Sequence, residues 1–184
     1  MKIWQLCFDV NNYANLQAFP PLTADDIQSF NGSKKLAGWT PLRVEPIESD
    51  LDLGDAPGFT IPVFSQKACD VLMPLMEQDV ELLPLACSKG SFFGVNVTNL
   101  LDVIDYDSSV FRRFSDGKRI MAFQKYSFRM CDALNKCNIF KITDEPTRRA
   151  FVSDRFKATI DNNRLKGFSL RLVWDSSQAF RSLT

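Results

Sequence analysis

The chain has 184 residues, of which 45% are hydrophobic and 24% charged, a balance that suits one soluble domain able to bury a substantial core. It contains no histidine, which removes the commonest general base and the commonest transition-metal ligand together and excludes histidine-based hydrolase triads, most zinc centres and histidine-dependent nucleases. The formal net charge is zero but hides a split. Residues 1–92 hold 6 basic against 12 acidic side chains and residues 93–184 hold 16 against 10, which means either two surfaces with different partners or two halves that attract when packed.

No run of 18 apolar residues exists, so no membrane span is expected. The start, MKIWQLCFDVNN, places Asp9 and two asparagines where a signal peptide needs its apolar core and cleavage site, and it reads better as a first strand. The five cysteines, Cys7, Cys69, Cys87, Cys131 and Cys137, are scattered without any C-x-x-C. That pattern predicts reduced thiols and a cytoplasmic location. The 16 phenylalanines read chiefly as core filler.

In chain order, residues 2–10 predict a strand and 11–15 a turn. Thr23 precedes Ala24, Asp25 and Asp26, a short helix start whose acids suit the N-terminal end; Asn31-Gly32 closes it. Trp39 lies between Gly38 and Pro41, so an irregular segment pinned by the indole is expected. Between Arg43 and Lys67 there is no cation, and Glu45, Glu48, Asp50, Asp52 and Asp55 fall among Ile47, Leu51 and Leu53. Such a run is either a solvated loop or a negatively charged docking surface whose summed potential steers a basic partner.

The chain is organised around residues 57–85, PGFTIPVFSQKACDVLMPLMEQDVELLPL. An apolar extended piece at 61–64 ends on Ser65, whose hydroxyl can accept an orphan N–H of a first helical turn. Ala68, Val71, Leu72, Leu75 and Met76 then share one helical face, Pro74 predicts a kink or an end, and Val80, Leu82 and Leu83 resume as a strand. The same grammar returns 88 positions later: Phe151 and Val152 lead into Ser153, Phe156, Ile160 and Leu165 point inward, Gly167 stops the helix, and Phe168, Leu170 and Leu172 alternate as a strand. The two stretches are either one supersecondary unit used twice or a real internal repeat.

Residues 92–98 predict a strand, 118–128 a hairpin arm turning at Asp116-Gly117, 139–142 a short strand and 168–174 the last one. The tail after Trp174 is expected to fray. The expected fold is α+β, a mostly antiparallel sheet with two main helices, organised as a single domain over 1–184: an N-terminal elaboration at 1–56 with the acidic loop, a core at 57–174 and a tail at 175–184.

The segments GDAPGFTIPVFS at 54–65, VELLPL at 80–85, NVTNLLDVIDYDSS at 96–109, IFKI at 139–142 and the ending FVSDRFKATIDNNRLKGFSLRL, with FNGSKKLAGWTP upstream, resemble the bacterial immunity protein 11 family, earlier a domain of unknown function numbered 1629. The resemblance covers about residues 30–174. It implies a protein without catalysis of its own that binds a cognate toxin, delivered by secretion or by cell contact in competition between bacteria, and blocks it by occluding its active site. It supplies no catalytic residue set, and neither a cofactor nor a metal is expected. Within that reading Glu45, Glu48, Asp50, Asp52 and Asp55 are the expected partner-binding residues.

Two rivals remain. Arg112, Arg113, Lys118, Arg119 and Lys125 lie near Phe111, Phe114 and Phe123, a mix of cations and rings that can hold nucleic acid, although a sequence pI near 6.3 lacks the basic footprint. Asp102, Asp105 and Asp107 could serve a carboxylate enzyme with magnesium, or simply an Asx-rich turn.

Overall fold

The computed structural model describes residues 1–47 and 50–179. Its elements in order are β1 (Lys2–Phe8), β2 (Leu16–Phe19), α1 (Ala24–Gln28), β3 (Leu42–Pro46), β4 (Val63–Ser65), α2 (Gln66–Met76), β5 (Val80–Cys87), β6 (Phe92–Val97), β7 (Leu100–Leu101), β8 (Val110–Arg113), β9 (Ile120–Lys125), α3 (Asp132–Lys136), β10 (Ile139–Ile142), β11 (Phe151–Ser153), α4 (Asp154–Asn162), β12 (Phe168–Asp175) and α5 (Ser176–Ala179). The fold is α+β with α2 and α4 as its main helices. The expected sheet is divided in two, one ordered β12-β1-β11-β10-β7 and the other β2-β3-β5-β6-β4, with β8 and β9 forming a separate ribbon. Pairing is antiparallel except between β10 and β7 and between β3 and β5.

Both main helices begin as their capping serines dictate. Ser65 Oγ accepts the Ala68 N–H at 3.1 Å and Ser153 Oγ accepts the Phe156 N–H at 3.2 Å. Helix α2 runs two residues beyond Pro74, the Glu77 N–H still donating to the Met73 carbonyl at 3.0 Å, and then stops; the proline itself has no N–H to offer the turn before it. Thr23 makes the full capping box with Asp26 that its spacing allows.

The two halves share their strand register. Val63, Phe64 and Ser65 pair with Gly94, Phe93 and Phe92, and Phe151, Val152 and Ser153 pair with Gln5, Trp4 and Ile3. On the other side of the same central strands, Val80 pairs with Val97 and Leu82 with Val95, matched by Phe168 with Phe8 and Leu170 with Leu6. Thus β4, α2 and β5 correspond to β11, α4 and β12 at the 88-residue offset, and the first strand of the chain occupies in one sheet the place that β6 occupies in the other. The agreement breaks at Ile3, which pairs with Trp174 across a bulge.

Apolar faces of both sheets close on α2 and α4 in one core that includes Phe64, Leu72, Met76, Val95, Val152 and Phe156. The opposite face of the β1 sheet is covered by the β8–β9 ribbon and the segments beside it, with Phe140, Phe151, Phe123, Tyr126, Phe128 and Trp174 interlocked. Four-residue β10 is buried along its whole length. It therefore carries Lys141 into the interior, where Nζ donates to the Phe30 carbonyl at 2.6 Å. The expected fraying of the tail is replaced at 176–179 by a helical turn, since Ser176 ties to the first residue: its N–H donates to the Met1 carbonyl and its Oγ accepts from the N-terminal ammonium. Residues 180–184 of the expected tail lie outside the described residues.

Candidate functional site

The acidic segment is built from β3 and from two anchors that hold the loop behind it. Beyond Pro46 the Ile47 N–H donates to the Asn15 carbonyl, and the Asp52 carbonyl accepts from Ala14. Leu53 is buried, whereas Asp50, Leu51 and Asp52 are exposed, Leu51 at 40%. Ile47, at 57%, is exposed on the same loop. Asp52 closes its own turn, its Oδ1 accepting the Gly54 N–H at 2.9 Å. Gly54 adopts φ +62, and a Cβ there would sit 2.8 Å from the Tyr13 ring, so the loop requires a glycine.

The predicted partner-binding residues separate into different environments. Glu45 is partly covered, accepting from Ser88 Oγ at 2.6 Å and facing Arg43 at 3.7 Å. Glu48 lies outside the described residues. Asp50 and Asp52 face solvent. Asp55, in contrast, is 7% exposed and is used within the chain: Oδ1 accepts from Ser65 Oγ at 2.9 Å, and Oδ2 accepts from the Lys166 N–H at 2.8 Å and faces Lys67 Nζ at 3.3 Å. Its own N–H donates to the Lys166 carbonyl, and its carbonyl accepts the Ser65 N–H. This residue joins the start of α2 to the turn before β12, and its carboxylate does not belong to the exposed strip. Asp55→Asn, which sets an amide against the Lys166 N–H, is expected to destabilise the fold by about 1–2 kcal/mol, measured by urea unfolding. Lys67 contributes little of that, because its side chain is 58% exposed.

Exposed apolar and acidic side chains thus lie on a loop whose ends are fixed. Beside it is a cleft of about 410 Å³ lined by Pro46, Leu51, Asp52, Leu53, Lys89 and Phe92. The strip has the chemistry of a protein contact, with apolar side chains for burial and carboxylates for charge matching.

The aromatic rings of the basic half are occupied elsewhere. Phe123 is buried, and Phe111 packs against the same core; Arg113 and Arg119 lie over the rings of Phe111 and Phe114 at 5.0 Å. Phe123 and Phe111 thus serve the core and the ribbon's own cations lie over Phe111 and Phe114, and the nucleic-acid reading is not supported. Asp102 faces Arg129 at 3.2 Å and Asp105 Oδ1 accepts the Asp107 N–H, the arrangement of an Asx-rich turn. Among the described residues no cluster of three potential metal ligands occurs, and no helix is long and apolar enough to cross a membrane.

The described thiols are free. Burial pushes Cys69 and Cys137 up to about 12, aided by Asp70 and Asp79 respectively, so neither is a thiolate nucleophile at neutral pH. One polar network escaped the sequence reading: Tyr126 Oη donates to Glu145 Oε2 at 2.8 Å and accepts from Arg149 Nη1 at 2.8 Å. Burial, followed by the hydrogen bond to Glu145, raises the tyrosine above its ordinary range.

No curated protein matches the chain. The model of the immunity protein family (Imm11) matches residues 85–175, a span that begins within β5, ends with β12 and takes in the motifs at 96–109, 139–142 and 151–172 that resemble that family.

Proposed function

We propose that this protein binds a cognate bacterial toxin in the cytoplasm and silences it by covering its working surface, without chemistry of its own. The family match carries the reading; the exposed strip of Ile47, Asp50, Leu51 and Asp52 supplies its contact. A loop already held by hydrogen bonds loses little further freedom on binding, and clustered carboxylates raise the encounter rate with a basic cleft. The carboxylates stand where substrate phosphates would lie if the toxin acts on nucleic acid. A specific interface of this kind buries about 1,600 Å² in total, so the strip is one part of a wider contact.

The test is charge reversal at Asp50 and Asp52, both to lysine, with the protein encoded immediately upstream of this gene as the binding partner. Association in low salt is expected to slow about tenfold or more, and the difference from the unaltered chain to shrink as salt screens the charges. Equal association rates in low salt would remove the strip from the interface.

A further inference from the structure

The shared register of the two halves allows a comparison of their outer sheet edges, position by position. In one half the edge of β5 is covered. Strand β3 pairs with it at Leu85, Ala86 and Cys87, the Trp39 indole N–H caps the Pro84 carbonyl at 2.8 Å, and Pro84 has no N–H to leave unpaired. Nearby, the Glu81 carboxylate accepts from the Lys35 and Leu36 N–H groups.

The corresponding strand β12 has none of this. Among the described residues it is hydrogen-bonded to β1 alone and ends its sheet. Leu172 stands where Pro84 stands, restoring the N–H, and it is 40% exposed. Apolar Phe168, Leu170 and Leu172 alternate with Ser169 and Arg171. An edge of this length and apolarity is a ready template for another strand. The bulge after Leu172 turns Trp174 into the core and limits the usable stretch to 168–172.

We infer that residues 168–172 of β12 receive an extended segment of the toxin, which adds as a sixth strand to the β1 sheet. The inference rests on the proposed function and extends its contact surface. The turn at Lys166 that Asp55 holds leads directly into β12, so the acidic segment and this edge are joined through one fixed corner.

The chemistry of the segment follows from the side chains it would meet. Arg171 reaches across to Gln5 Oε1 but forms no ion pair among the described residues, so a carboxylate beside it on the incoming strand is favoured. On the other face Leu170 and Leu172 call for apolar neighbours. A second copy of the chain fits less well: antiparallel self-pairing over 168–172 would place both Arg171 side chains on one face, a diagonal apart and without a counter-charge.

Amide hydrogen exchange on the full chain, alone and mixed with the protein encoded immediately upstream, tests this. In the complex the exchange of residues 168–172 is expected to slow at least tenfold. Arg171→Glu is expected to weaken binding at least tenfold with its melting temperature unchanged, while Arg171→Lys stays within about threefold. A complex that forms with 168–172 exchanging as in the free chain, and that tolerates Arg171→Glu, would overturn the edge while leaving the immunity reading intact. Absence of any complex would overturn that reading and this one with it. Protection of 168–172 in the free chain that grows with its concentration would assign the edge to a second copy, and the toxin segment would be excluded.

Discussion

Replacing Phe151 with alanine is expected to cost the fold about 3–5 kcal/mol, a large share of the roughly 5–15 kcal/mol available to a domain. Phe151 is 0% exposed and stands on β11 between β1 and β10. Its ring is stacked on Phe140 at 5.6 Å and edge-on to Tyr126 at 5.1 Å and to Phe128 at 5.7 Å. Truncation removes the meeting point of these rings, and neighbours held by two sheet strands have little room to collapse into the void. Phe151→Leu, which keeps most of the volume, is expected to cost about 1–2 kcal/mol. Urea unfolding of the three proteins checks the order, and equal midpoints for wild type and Phe151→Ala would show that this face of the sheet is not a packed core.

The second large effect depends on pH and comes from Lys141. Burial lowers it from 10.5 to about 8, so between those values the unfolded chain holds a proton that the folded chain has released. Stability from this residue therefore rises with pH across that window, and below about 8 the cost of enclosing the ammonium is present in full. A difference on the order of 2–3 kcal/mol is expected between the ends of the window. Cys69 and Cys137 act oppositely, since thiols raised to about 12 stay protonated in the fold while the unfolded chain ionises, and stability from them falls as pH climbs above about 9. The comparison is accordingly between wild type and Lys141→Met at each pH. Near pH 7 the variant trades the Phe30 hydrogen bond for relief of a buried charge. By pH 10.5 its stability relative to wild type is expected to have dropped by that amount. Parallel curves for the two proteins would place the Lys141 ammonium in contact with water.

Lys141 also shows where sequence reading ends. The strand IFKI was legible from its β-branched and aromatic residues, but nothing in four residues reveals that both faces are covered, and a lysine in alternation looks like a solvent-facing position. Ser65, Ser153 and Thr23 were legible because capping is local: the donor and acceptor lie within one turn of chain. The 88-residue correspondence was visible as a pattern, but its meaning depended on β1 and β6, which lie outside the repeated stretches and whose pairing only tertiary structure discloses. Strands β2 and β3 escaped because each is short and flanked by turn or proline residues; they form through pairing with each other, Gln17 opposite Glu45 and Ala18 opposite Val44, and through the edge of β5.

The acidic segment was legible as a charge run and not as a surface. Counting charges treats Asp50 and Asp55 alike, yet Gly54, Ala56 and Gly58 let the backbone around Asp55 approach its neighbours closely, and Gly167 packs on Ala56 so tightly that a Cβ would lie 2.7 Å from its carbonyl oxygen. A carboxylate in such a corner becomes a tie between distant segments. The open edge of β12 was hidden for a related reason, because an alternating apolar strand reads the same whether its second edge is paired or bare.

The most direct measurement of the central claim is a titration of the protein encoded immediately upstream, followed by its activity, against the purified chain. A molecule that works by occupying a surface is expected to extinguish activity in proportion to the amount added, reaching zero near one equivalent, with full recovery when the toxin is separated from it by unfolding and refolding. Loss of activity that proceeds with time under a small fraction of an equivalent, and that survives the separation, would mean that the chain alters the toxin chemically, and inhibition by coverage would be refuted.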